Sequence, residues 1–368
     1  MDRSLRICFF IRDLSAPAGT ERITTVLANH LQQSGYSVDI ITLTTTKSFF
    51  ELDSRIGLHA LGATSDRRFL LLYPFYLYKL LDLIKQRKYN VVINVAVMMI
   101  FATWIVKVIP RCALISWEHY NIHTRPRAFI SAASRRLALI FSAKVVLLTH
   151  QDKELYEGAF GESEKLEHIP NPVTISSLEK ANPEHKRVIA IGRYTAQKGF
   201  DLLLEAWKIV SEKAEGWDLL LVGDGEDKEM LKRKCTELGI TDRVCFTMPT
   251  SDVISAYKQA SIYALSSRFE GMPLVLLEAM HMGLPLVAFN CEYGPSELIT
   301  NGYNGLLVEN GQTVQLAEAL LDLIQDDEKR TAMSKNALIA SEKYSINSVA
   351  LKWVTLFDAL DGGIKVYP

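Results

Sequence analysis

The sequence of 368 residues has few cysteines and no pattern that would pair them. The cysteines are odd in number, and none belongs to a C-x-x-C pair. Scattered thiols in apolar or helical contexts are typical of reduced, buried side chains in a cytoplasmic protein. The start "MDRSLRICFFIRD" lacks the features of a signal peptide, because its apolar stretch is only one strand long. The five cysteines are Cys8, Cys112, Cys235, Cys245 and Cys291.

Long apolar runs are also scarce, and one segment has two possible interpretations. "VVINVAVMMIFATWIVKVI" (91–109) is almost wholly apolar, and its length alone would allow a membrane span. The other interpretation is a buried strand over 91–95 followed by a mostly buried helix over 96–109. Asn94, Thr103 and Lys107 interrupt the run, and the neighbouring sequence repeats the strand-then-helix order. We therefore favour the strand and helix.

Two ligand-binding motifs are missing. The stretch "FFIRDLSAPAG" after the first predicted strand lacks G-x-G-x-x-G, which argues against a dinucleotide-dependent oxidoreductase. The sequence also lacks a D-x-D pattern, and the acidic "DGEDKE" (224–229) is typical of a solvated turn. We therefore predict neither a cofactor nor a metal site.

The net charge is only −1, but the basic and acidic residues are unevenly distributed along the chain. Residues 1–170 hold 21 of the 41 Lys and Arg against 15 of the 42 Asp and Glu. The remaining residues therefore hold 20 basic against 27 acidic side chains. A basic half joined to an acidic half suggests that the first half meets an anionic surface or substrate.

Strand-like and helix-like segments alternate along the chain. "LRICFFI" (5–11) is a continuous apolar run, as expected for a strand buried on both faces of a parallel sheet. A segment with apolar residues at helical spacing follows it. This alternation predicts a doubly wound α/β fold. Further strands are predicted at 38–43, 91–95, 113–117, 144–149, 187–192, 218–223, 243–248, 262–267, 285–290 and 304–309.

The segment "HIPNPV" (168–173) marks the predicted domain boundary, because two prolines around an asparagine form a turn or linker. We predict one Rossmann-like domain over 1–170 and a second over 171–345, facing each other across a cleft. A final helix is predicted over 346–362. Ligands of such sheets bind at the carboxyl ends of the strands, so a cleft between two sheets could hold two substrates.

Two glutamates bracket an apolar run in "SRFEGMPLVLLEAM" (267–280). Pro273 is favoured in the first turn of a helix, so a helix should start near Met272 or Pro273. Glu278 then lies on the second turn and Glu270 on the loop before it. Free N–H groups at the helix start favour an anion. Such a site offers acceptors for hydroxyl groups and donors for a phosphate, as a nucleotide sugar requires. The alternative is a surface helix with incidental glutamates.

A second set of residues lies in "GRYTAQKGF" (192–200). Arg193 follows a predicted strand, and Lys198 should open the next helix. Cations at the carboxyl end of a strand suit a diphosphate, and Arg can bind one through two parallel hydrogen bonds. The alternative is a pair of solvated surface charges. The nearby "VGDGE" (222–226) is a glycine turn that could shape a nucleotide pocket or be a plain turn.

Together these stretches resemble the retaining glycosyltransferases of family 4, which have the two-domain GT-B fold. The E-x7-E pattern, here Glu270 to Glu278, is the most specific part. "AGTERITTVLANHLQQSGYSV", the "HIPNPV" linker, "GRYTAQKG", the "VGDGE" turn and "GYNGLLVE" (302–309) occur in the order found in the family. The resemblance covers nearly the whole chain. It departs from the family at Ala18-Gly19, where a Gly-Gly pair is common, and at Met248-Pro249, where a glycine is usual.

The resemblance implies roles for matching residues. Arg193 and Lys198 would neutralise the leaving diphosphate, and Glu278 would bind the ribose hydroxyls. The first domain would be the acceptor side and the second would bind the nucleotide sugar, and the final helix would cross back to the first domain. Glu270 and His119, in "SWEHYN", would contact the donor sugar. The remaining donor-binding positions would be Gly19, Gly271, Met272, Pro273 and Leu274.

The expected activity is transfer of a hexose or N-acetylhexosamine from a nucleotide sugar, UDP-linked by preference. The acceptor would be a lipid-linked glycan or oligosaccharide in cell-surface polysaccharide or lipopolysaccharide synthesis. A sugar-nucleotide epimerase of the same fold and a non-catalytic partner subunit are the alternatives. We expect no nucleic-acid partner.

A location at the inner face of the cell membrane is a further hypothesis. The segments 66–88 and 125–138 combine apolar bodies with basic ends, which would suit an anionic membrane surface. A core helix with solvated ends is the alternative. The basic residues are Arg67, Arg68, Lys85, Arg87 and Lys88 in the first segment and Arg125, Arg127, Arg135 and Arg136 in the second.

Overall fold

The computed structural model describes residues 5–63, 68–120, 128–249 and 252–361. The chain divides into two compact units. The first unit comprises Met1–Pro172 together with Ile346–Pro368, and the second comprises Val173–Ser345. Each unit has its own parallel sheet, and the sheets have seven and six strands.

The strands are short and mostly apolar, as expected for strands covered on both faces. They are β1 (Arg6–Ile11), β2 (Ser37–Thr42), β3 (Gly57–Ala60), β4 (Val91–Val95), β5 (Ala113–Trp117), β6 (Lys144–Leu147), β7 (Leu166–His168), β8 (Arg187–Ile191), β9 (Asp218–Val222), β10 (Val244–Thr247), β11 (Ile262–Leu265), β12 (Leu286–Asn290) and β13 (Gly305–Glu309).

The α-helices connect successive strands and cover the sheets. They are α1 (Gly19–Gln33), α2 (Arg68–Arg87), α3 (Ile100–Thr103), α4 (Ala128–Phe141), α5 (His150–Phe160), α6 (Phe200–Lys213), α7 (Lys228–Leu238), α8 (Val253–Lys258), α9 (Leu274–His281), α10 (Pro295–Leu298), α11 (Thr313–Gln325), α12 (Asp327–Ser341) and α13 (Ile346–Asp361).

The first sheet has the order β3-β2-β1-β4-β5-β6-β7, and the second has the order β10-β9-β8-β11-β12-β13. Every pair of neighbouring strands is parallel. The strand order reverses between β1 and β4 in the first sheet and between β8 and β11 in the second. Such reversals leave a crevice at the carboxyl ends of the two central strands, where ligands of doubly wound sheets bind. The predicted doubly wound fold is confirmed.

The final helix packs on the first unit, as predicted. Helix α13 contacts α1. Its Trp353 is fully buried and meets Trp117, at the end of β5, with 5.0 Å between ring centroids. Phe357, one turn further along, packs edge-on against Tyr36 at 6.4 Å. Helix α13 therefore adds buried aromatic side chains to the first unit.

The single helix expected over 96–109 is wrong. The structure has a 3-10 turn at Val97–Met99, the four-residue helix α3 and a second 3-10 turn at Trp104–Val108. Ala96, directly after β4, has φ = 78°, a conformation that a helix cannot continue from. Among the helices that the structure describes, none is long and apolar enough to cross a membrane.

In the second unit, the buried face of helix α6 agrees with the one predicted from the sequence. The predicted apolar stripe of α6 is buried: Phe200, Leu203, Leu204, Trp207 and Val210. It belongs to a core that includes strands β8, β9, β11 and β12 and helix α11. The short strands β3 and β7 of the first unit were not predicted.

Candidate active site

Residues from two neighbouring strands meet at the crevice of the second sheet. Lys198 lies on the loop after β8, and Glu270 lies on the loop after β11. Lys198 Nζ donates to Glu270 Oε1 at 2.6 Å. Ser267 Oγ donates to the same oxygen at 2.6 Å. The structure therefore brings together two predicted site residues that are 72 positions apart in the chain.

Lys198 ends a 3-10 turn, Ala196–Lys198, and does not open the next helix as predicted. Gly199 intervenes with φ = 61°, and α6 begins at Phe200. A Cβ atom on Gly199 would lie 2.1 Å from the Ser266 carbonyl oxygen. Ser266 Oγ in turn donates to the Lys198 carbonyl at 3.0 Å. Only glycine allows this close approach, and the approach fixes the loop of Lys198 against the loop of Glu270.

Glu270 is buried, yet one of its carboxylate oxygens can still accept a hydrogen bond from a ligand. Both of its side-chain contacts use Oε1. Within the described parts of the chain, Oε2 accepts no hydrogen bond from a side chain. A carboxylate can accept up to four hydrogen bonds, so Oε2 is available to a hydroxyl donor.

The segment Gly271 to Leu274 carries the chain from Glu270 into α9. Pro273 is the N-cap of α9, one position earlier than its usual place in the first turn, and Leu274 is the first helical residue. The first N–H groups of a helix have no partner within the helix and favour an anion. Gly294 packs on this segment so tightly that a Cβ atom there would lie 1.9 Å from the Gly271 carbonyl oxygen. The side chains of Met272 and Pro273 are buried, and Leu274 is half-buried.

Glu278 is held from two sides on the second turn of α9. It is only 2% exposed. Tyr257 donates its hydroxyl proton to Glu278 Oε2 at 2.9 Å. Thr174 Oγ1 donates to Oε1. Each carboxylate oxygen accepts at least one protein hydrogen bond and has capacity for another.

Arg193 differs from Lys198 in its environment. Its side chain is exposed and has no hydrogen-bond or ion-pair partner among the residues that the structure describes. Its loop is fixed by its neighbours, because the Tyr194 N–H donates to the Asp224 carbonyl at 2.9 Å. A Cβ atom on Gly225 would lie 2.3 Å from the Tyr194 carbonyl oxygen. The predicted glycine turn therefore supports the loop that carries Arg193.

His119 belongs to the first unit and follows β5. Its ring packs on Trp117, with 4.3 Å between centroids. Burial lowers the pKa of His119 to about 3, so the imidazole is neutral at pH 7. Its Nε2 is buried without a hydrogen-bond partner in the described chain. Gly19, the other predicted site residue of this unit, is exposed and is the first residue of α1.

A buried ion pair supports the loop of His119. Arg135 Nε donates to Glu118 Oε2 at 3.0 Å, and Tyr156 donates its hydroxyl proton to the same oxygen at 2.7 Å. Glu118 Oε1 accepts from the Tyr120 N–H at 3.1 Å. Burial, together with the Glu118 charge, raises the pKa of the Tyr156 phenol well above its usual value. The carboxylate at position 118 thus holds the backbone on the far side of His119.

Five supporting residues were not predicted as parts of the site. Four of them contact partners at least 17 positions away in the chain, and isolated Thr, Tyr or Arg residues give no sequence signal. Ser267 stands within the quoted glutamate motif and could have been noted as a partner of Glu270. The five are Ser267, Thr174, Tyr257, Arg135 and Tyr156.

Two sequence families match the chain, one for each half. The family described as Glycosyltransferase Family 4 matches residues 17–177. The family described as Glycosyl transferases group 1 matches residues 175–339. Together the two matches extend from α1 to α12.

Relatives and solved structures agree with these families. An uncharacterized glycosyltransferase of Haemophilus influenzae is 33% identical over 353 residues, which is 95% of this chain and 98% of that protein. An N-acetyl-D-galactosaminyltransferase of Campylobacter jejuni, named for a PP-undecaprenol-linked substrate, is 27% identical over 96% of this chain and 98% of its own length. The crystal structure of Anabaena Alr3699/HepE in complex with UDP superposes with a TM-score of 0.79 at 20% identity, covering 96% of this chain and 100% of that one.

The fold is that of the GT-B class, with two parallel α/β sheets and a final helix on the first unit. The chain belongs to glycosyltransferase family 4. It is a glycosyltransferase, and the epimerase alternative has no support among these matched families and relatives.

Proposed function

We propose that this protein transfers a hexosyl or N-acetylhexosaminyl group from a UDP-linked sugar to a lipid-linked glycan or polysaccharide acceptor, with retention at the anomeric carbon. The main support is the Lys198–Glu270 contact at the crevice between β8 and β11. The complex of HepE with UDP, and a second one with UDP-glucose, favour the same donor class. The Campylobacter relative favours a lipid-linked acceptor.

The residues of the second unit suit a leaving nucleoside diphosphate. Lys198 and Arg193 supply two positive charges, and the start of α9 supplies backbone donors. Such groups stabilise charge that grows on the leaving oxygen in the transition state. Glu270 Oε2 would accept from a hydroxyl of the donor sugar, and Glu278 from the ribose.

The proposed chemistry assigns no carboxylate nucleophile. Glu270 Oε1 is already bound to Lys198 and Ser267 and its Oε2 is assigned to a sugar hydroxyl, while both oxygens of Glu278 accept hydrogen bonds from Thr174 and Tyr257. In a front-face route the leaving phosphate oxygen takes the acceptor proton while the acceptor oxygen bonds to the anomeric carbon. The C–O bond to the diphosphate breaks on the same face, through an oxocarbenium-like state.

The first experiment is a donor panel. Purified protein is incubated with UDP- and GDP-linked glucose, galactose, N-acetylglucosamine and mannose, and release of free nucleoside diphosphate is followed. We expect slow release from at least one UDP-sugar. No release and no calorimetric binding with any donor would contradict the proposal, and product with inverted configuration would contradict retention.

The site assignment is tested with matched lysine variants. Lys198→Ala should lower kcat more than it changes donor affinity, because the charge of Lys198 is needed most as the diphosphate leaves. Lys208→Ala is the control, since Lys208 forms only an exposed ion pair with Glu212 on α6. Equal kcat values for the two variants would remove Lys198 from the mechanism.

We also propose that the first unit docks on an anionic membrane surface to reach a lipid-linked acceptor. Helix α2 exposes Leu71, Phe75 and Tyr78 at i, i+4 and i+7, so they form one apolar stripe. Exposed Lys85, and Arg87 and Lys88 beyond it, give the end of this helix a positive charge. Apolar insertion and attraction to anionic lipid act together in such helices.

The second basic segment needs a correction. Arg135, expected on the docking surface, is 3% exposed and is paired with Glu118 inside the first unit. Arg136 is exposed. Arg67, Arg125 and Arg127 lie outside the described residues, as does the side chain of Arg68.

Vesicle sedimentation tests the docking. Protein is mixed with phosphatidylcholine vesicles that contain or lack phosphatidylglycerol, at low and high salt. We expect binding that needs the anionic lipid and falls when Leu71, Phe75 and Tyr78 become Ser. Leu351→Ser, on the exposed face of α13, is the control. Dimerisation in place of lipid binding, or equal binding by the triple variant, would refute the proposal.

A further inference from the structure

Arg268 joins the loop of Lys198 to the loop of Glu270. It lies on the loop after β11, two residues before Glu270. Its guanidinium donates from Nη1 to the Ala196 carbonyl at 2.7 Å. It also forms two parallel hydrogen bonds with the Asp201 carboxylate, from Nη1 to Oδ1 at 2.8 Å and from Nη2 to Oδ2 at 2.7 Å.

The two residues that Arg268 binds stand on either side of Lys198 in the chain. Ala196 is the first residue of the 3-10 turn that Lys198 ends. Asp201 lies in the first turn of α6. One planar guanidinium therefore binds the chain just before Lys198 and again just after it.

The backbone of Arg268 is itself held in place. Its N–H donates to the Gln197 carbonyl at 2.8 Å, and the Gln197 side-chain amide donates to the Phe269 carbonyl at 3.1 Å. Asn310, directly after β13, donates from Nδ2 to the Arg268 carbonyl at 3.1 Å. Because these contacts fix its backbone, Arg268 can act as a rigid support for the Lys198 loop.

The geometry of this contact is more specific than its strength. The Arg268 and Asp201 side chains are 38% and 24% exposed, and a partly exposed ion pair adds little to folding stability. A planar guanidinium matches the two oxygens of a carboxylate and keeps a further N–H for a carbonyl. A lysine ammonium group is a single point of charge, so it could not hold Ala196 and both oxygens of Asp201 in the same way.

We propose that Arg268 is a positioning residue for sugar transfer, which holds the loop of Lys198 so that the ammonium group reaches the leaving diphosphate. Lys198 has a long, flexible side chain, so the position of its Nζ depends on where its loop lies. Displacing a catalytic group by about 1 Å can lower the rate by roughly a hundredfold. This inference rests on the proposed role of Lys198.

The second sheet contains a matched control at the opposite, amino ends of its strands. Arg187, the first residue of β8, donates from Nε and Nη2 to the two oxygens of Asp218, the first residue of β9, each at 2.6 Å. Its Nη1 donates to Gln259 Oε1 at 3.2 Å. The Arg187 and Asp218 side chains are 27% and 30% exposed, close to the values for Arg268 and Asp201. Arg187→Lys therefore changes the same kind of contact away from the site.

The first measurement is turnover of the UDP-sugar that gives the fastest release in the donor panel. Arg268→Lys should lower kcat by at least about tenfold and change the calorimetric donor Kd by less than about threefold, because the charge of Lys198 is needed most in the transition state. Asp201→Asn, which weakens the same contact from the other loop, should behave like Arg268→Lys. Arg187→Lys should keep the wild-type kcat and Kd.

Three outcomes of this comparison would overturn the inference. The first is an equal kcat for Arg268→Lys and Arg187→Lys. The second is an equal loss of kcat and donor affinity in Arg268→Lys. The third is a melting temperature for both Arg268→Lys and Asp201→Asn far below that of Arg187→Lys, which would make the contact a requirement of the fold.

A double variant tests whether Arg268 acts through Lys198. Single turnovers are followed with enzyme in excess over donor, so that slow variants are still measured. Arg268→Lys should cause no further loss of rate in a Lys198→Ala background, because the group that Arg268 positions is gone. The same fold loss in both backgrounds would show that Arg268 acts independently of Lys198, and would overturn the inference.

Amide hydrogen exchange tests the loop directly and needs no activity. The peptide over 195–203 should exchange faster in Arg268→Lys than in the wild type, whereas Arg187→Lys should leave its exchange unchanged. Unchanged exchange in Arg268→Lys would overturn the positioning role. If the sugar-transfer proposal fails instead, the wild type releases no nucleoside diphosphate from any donor, while hydrogen exchange still reports whether Arg268 holds the loop.

Discussion

Replacing Arg135 with alanine should damage the first unit severely. The guanidinium is the only cation that contacts Glu118 in the described chain, and both side chains are less than 8% exposed. Truncation would leave a buried carboxylate with only the Tyr156 hydroxyl and the Tyr120 N–H as donors. Breaking a buried ion pair from one side costs about 3–5 kcal/mol, because the remaining charge stays desolvated.

Two features of the site determine how much unfolding free energy Arg135→Ala loses within this range. The two remaining hydrogen bonds to Glu118 still stabilise the charge, which lowers the cost. The Arg135 guanidinium also lies over the Tyr156 ring, 5.9 Å from its centroid, and this contact is lost as well. We expect the opposing effects to leave a loss of about 3 kcal/mol, toward the lower end of the range.

The assay is urea unfolding, followed by intrinsic fluorescence and by circular dichroism. Two probes are needed because two units need not unfold in one transition. Arg136→Ala is the matched control, since Arg136 is the exposed neighbour on the same helix and should change stability by less than about 0.5 kcal/mol. Arg135→Met combined with Glu118→Gln should recover much of the loss, because no buried charge remains.

The reasoning fails if Arg135→Ala and Arg136→Ala unfold at the same urea concentration. It also fails if the double variant is as unstable as Arg135→Ala, because the cost would then come from lost packing rather than from an unpaired charge.

Three further predictions concern the site residues. Glu278→Ala should weaken donor binding measured by calorimetry by about 1–3 kcal/mol, and unchanged affinity in a folded variant would remove Glu278 from the donor site. Gly199→Ala should lower kcat and cost about 1–3 kcal/mol in urea unfolding, whereas Gly311→Ala, also at positive φ but with no atom within 4 Å, should lose less stability and no activity. The folded-state pKa of His119 is about 3 and lies below the unfolded value of about 6.5, so the unfolded chain binds the proton first and stability falls as the pH drops below 6.5. His119→Phe should remove about 2 kcal/mol of the stability difference between pH 7 and pH 5, and an unaltered pH dependence would contradict a buried neutral imidazole.

The sequence predicted correctly those strands and helices whose apolar residues follow a regular pattern of burial. Strand β4 is apolar at nearly every position, and helix α6 repeats its apolar residues at helical spacing, so both were placed correctly. Strand β3 was missed because Gly57–Ala60 is only half-buried and lacks an apolar run. The helix over 96–109 was wrong because a continuous apolar segment has no period, and the backbone at Ala96 turns away from helical geometry.

In the candidate site, too, local sequence pattern identified single residues but not the contacts between distant parts of the chain. Glu270 and Lys198 were expected at one site because the resemblance to family 4 gives both of them a role at the donor, whereas the sequence pattern alone described two separate stretches. The direct ion pair between them depends on the order of strands in the sheet, which local pattern does not reveal. Thr174 and Tyr257 were missed as partners of Glu278 because they lie 104 and 21 residues away in the chain.

Because helix α13 belongs to the first unit but follows the second unit in the chain, the order of synthesis affects how the first unit folds. The chain leaves the first unit at Pro172 and returns to it at Ile346, so the second unit is an insertion. The seven strands described in the first sheet are translated before the second unit begins, yet the helix that covers Trp117 is translated only after that unit. The second unit has all of its own chain once Ser345 has emerged, whereas the first must wait with an aromatic surface uncovered. A nascent chain of this protein therefore presents that surface to chaperones, or to other nascent chains, throughout the translation of the inserted unit.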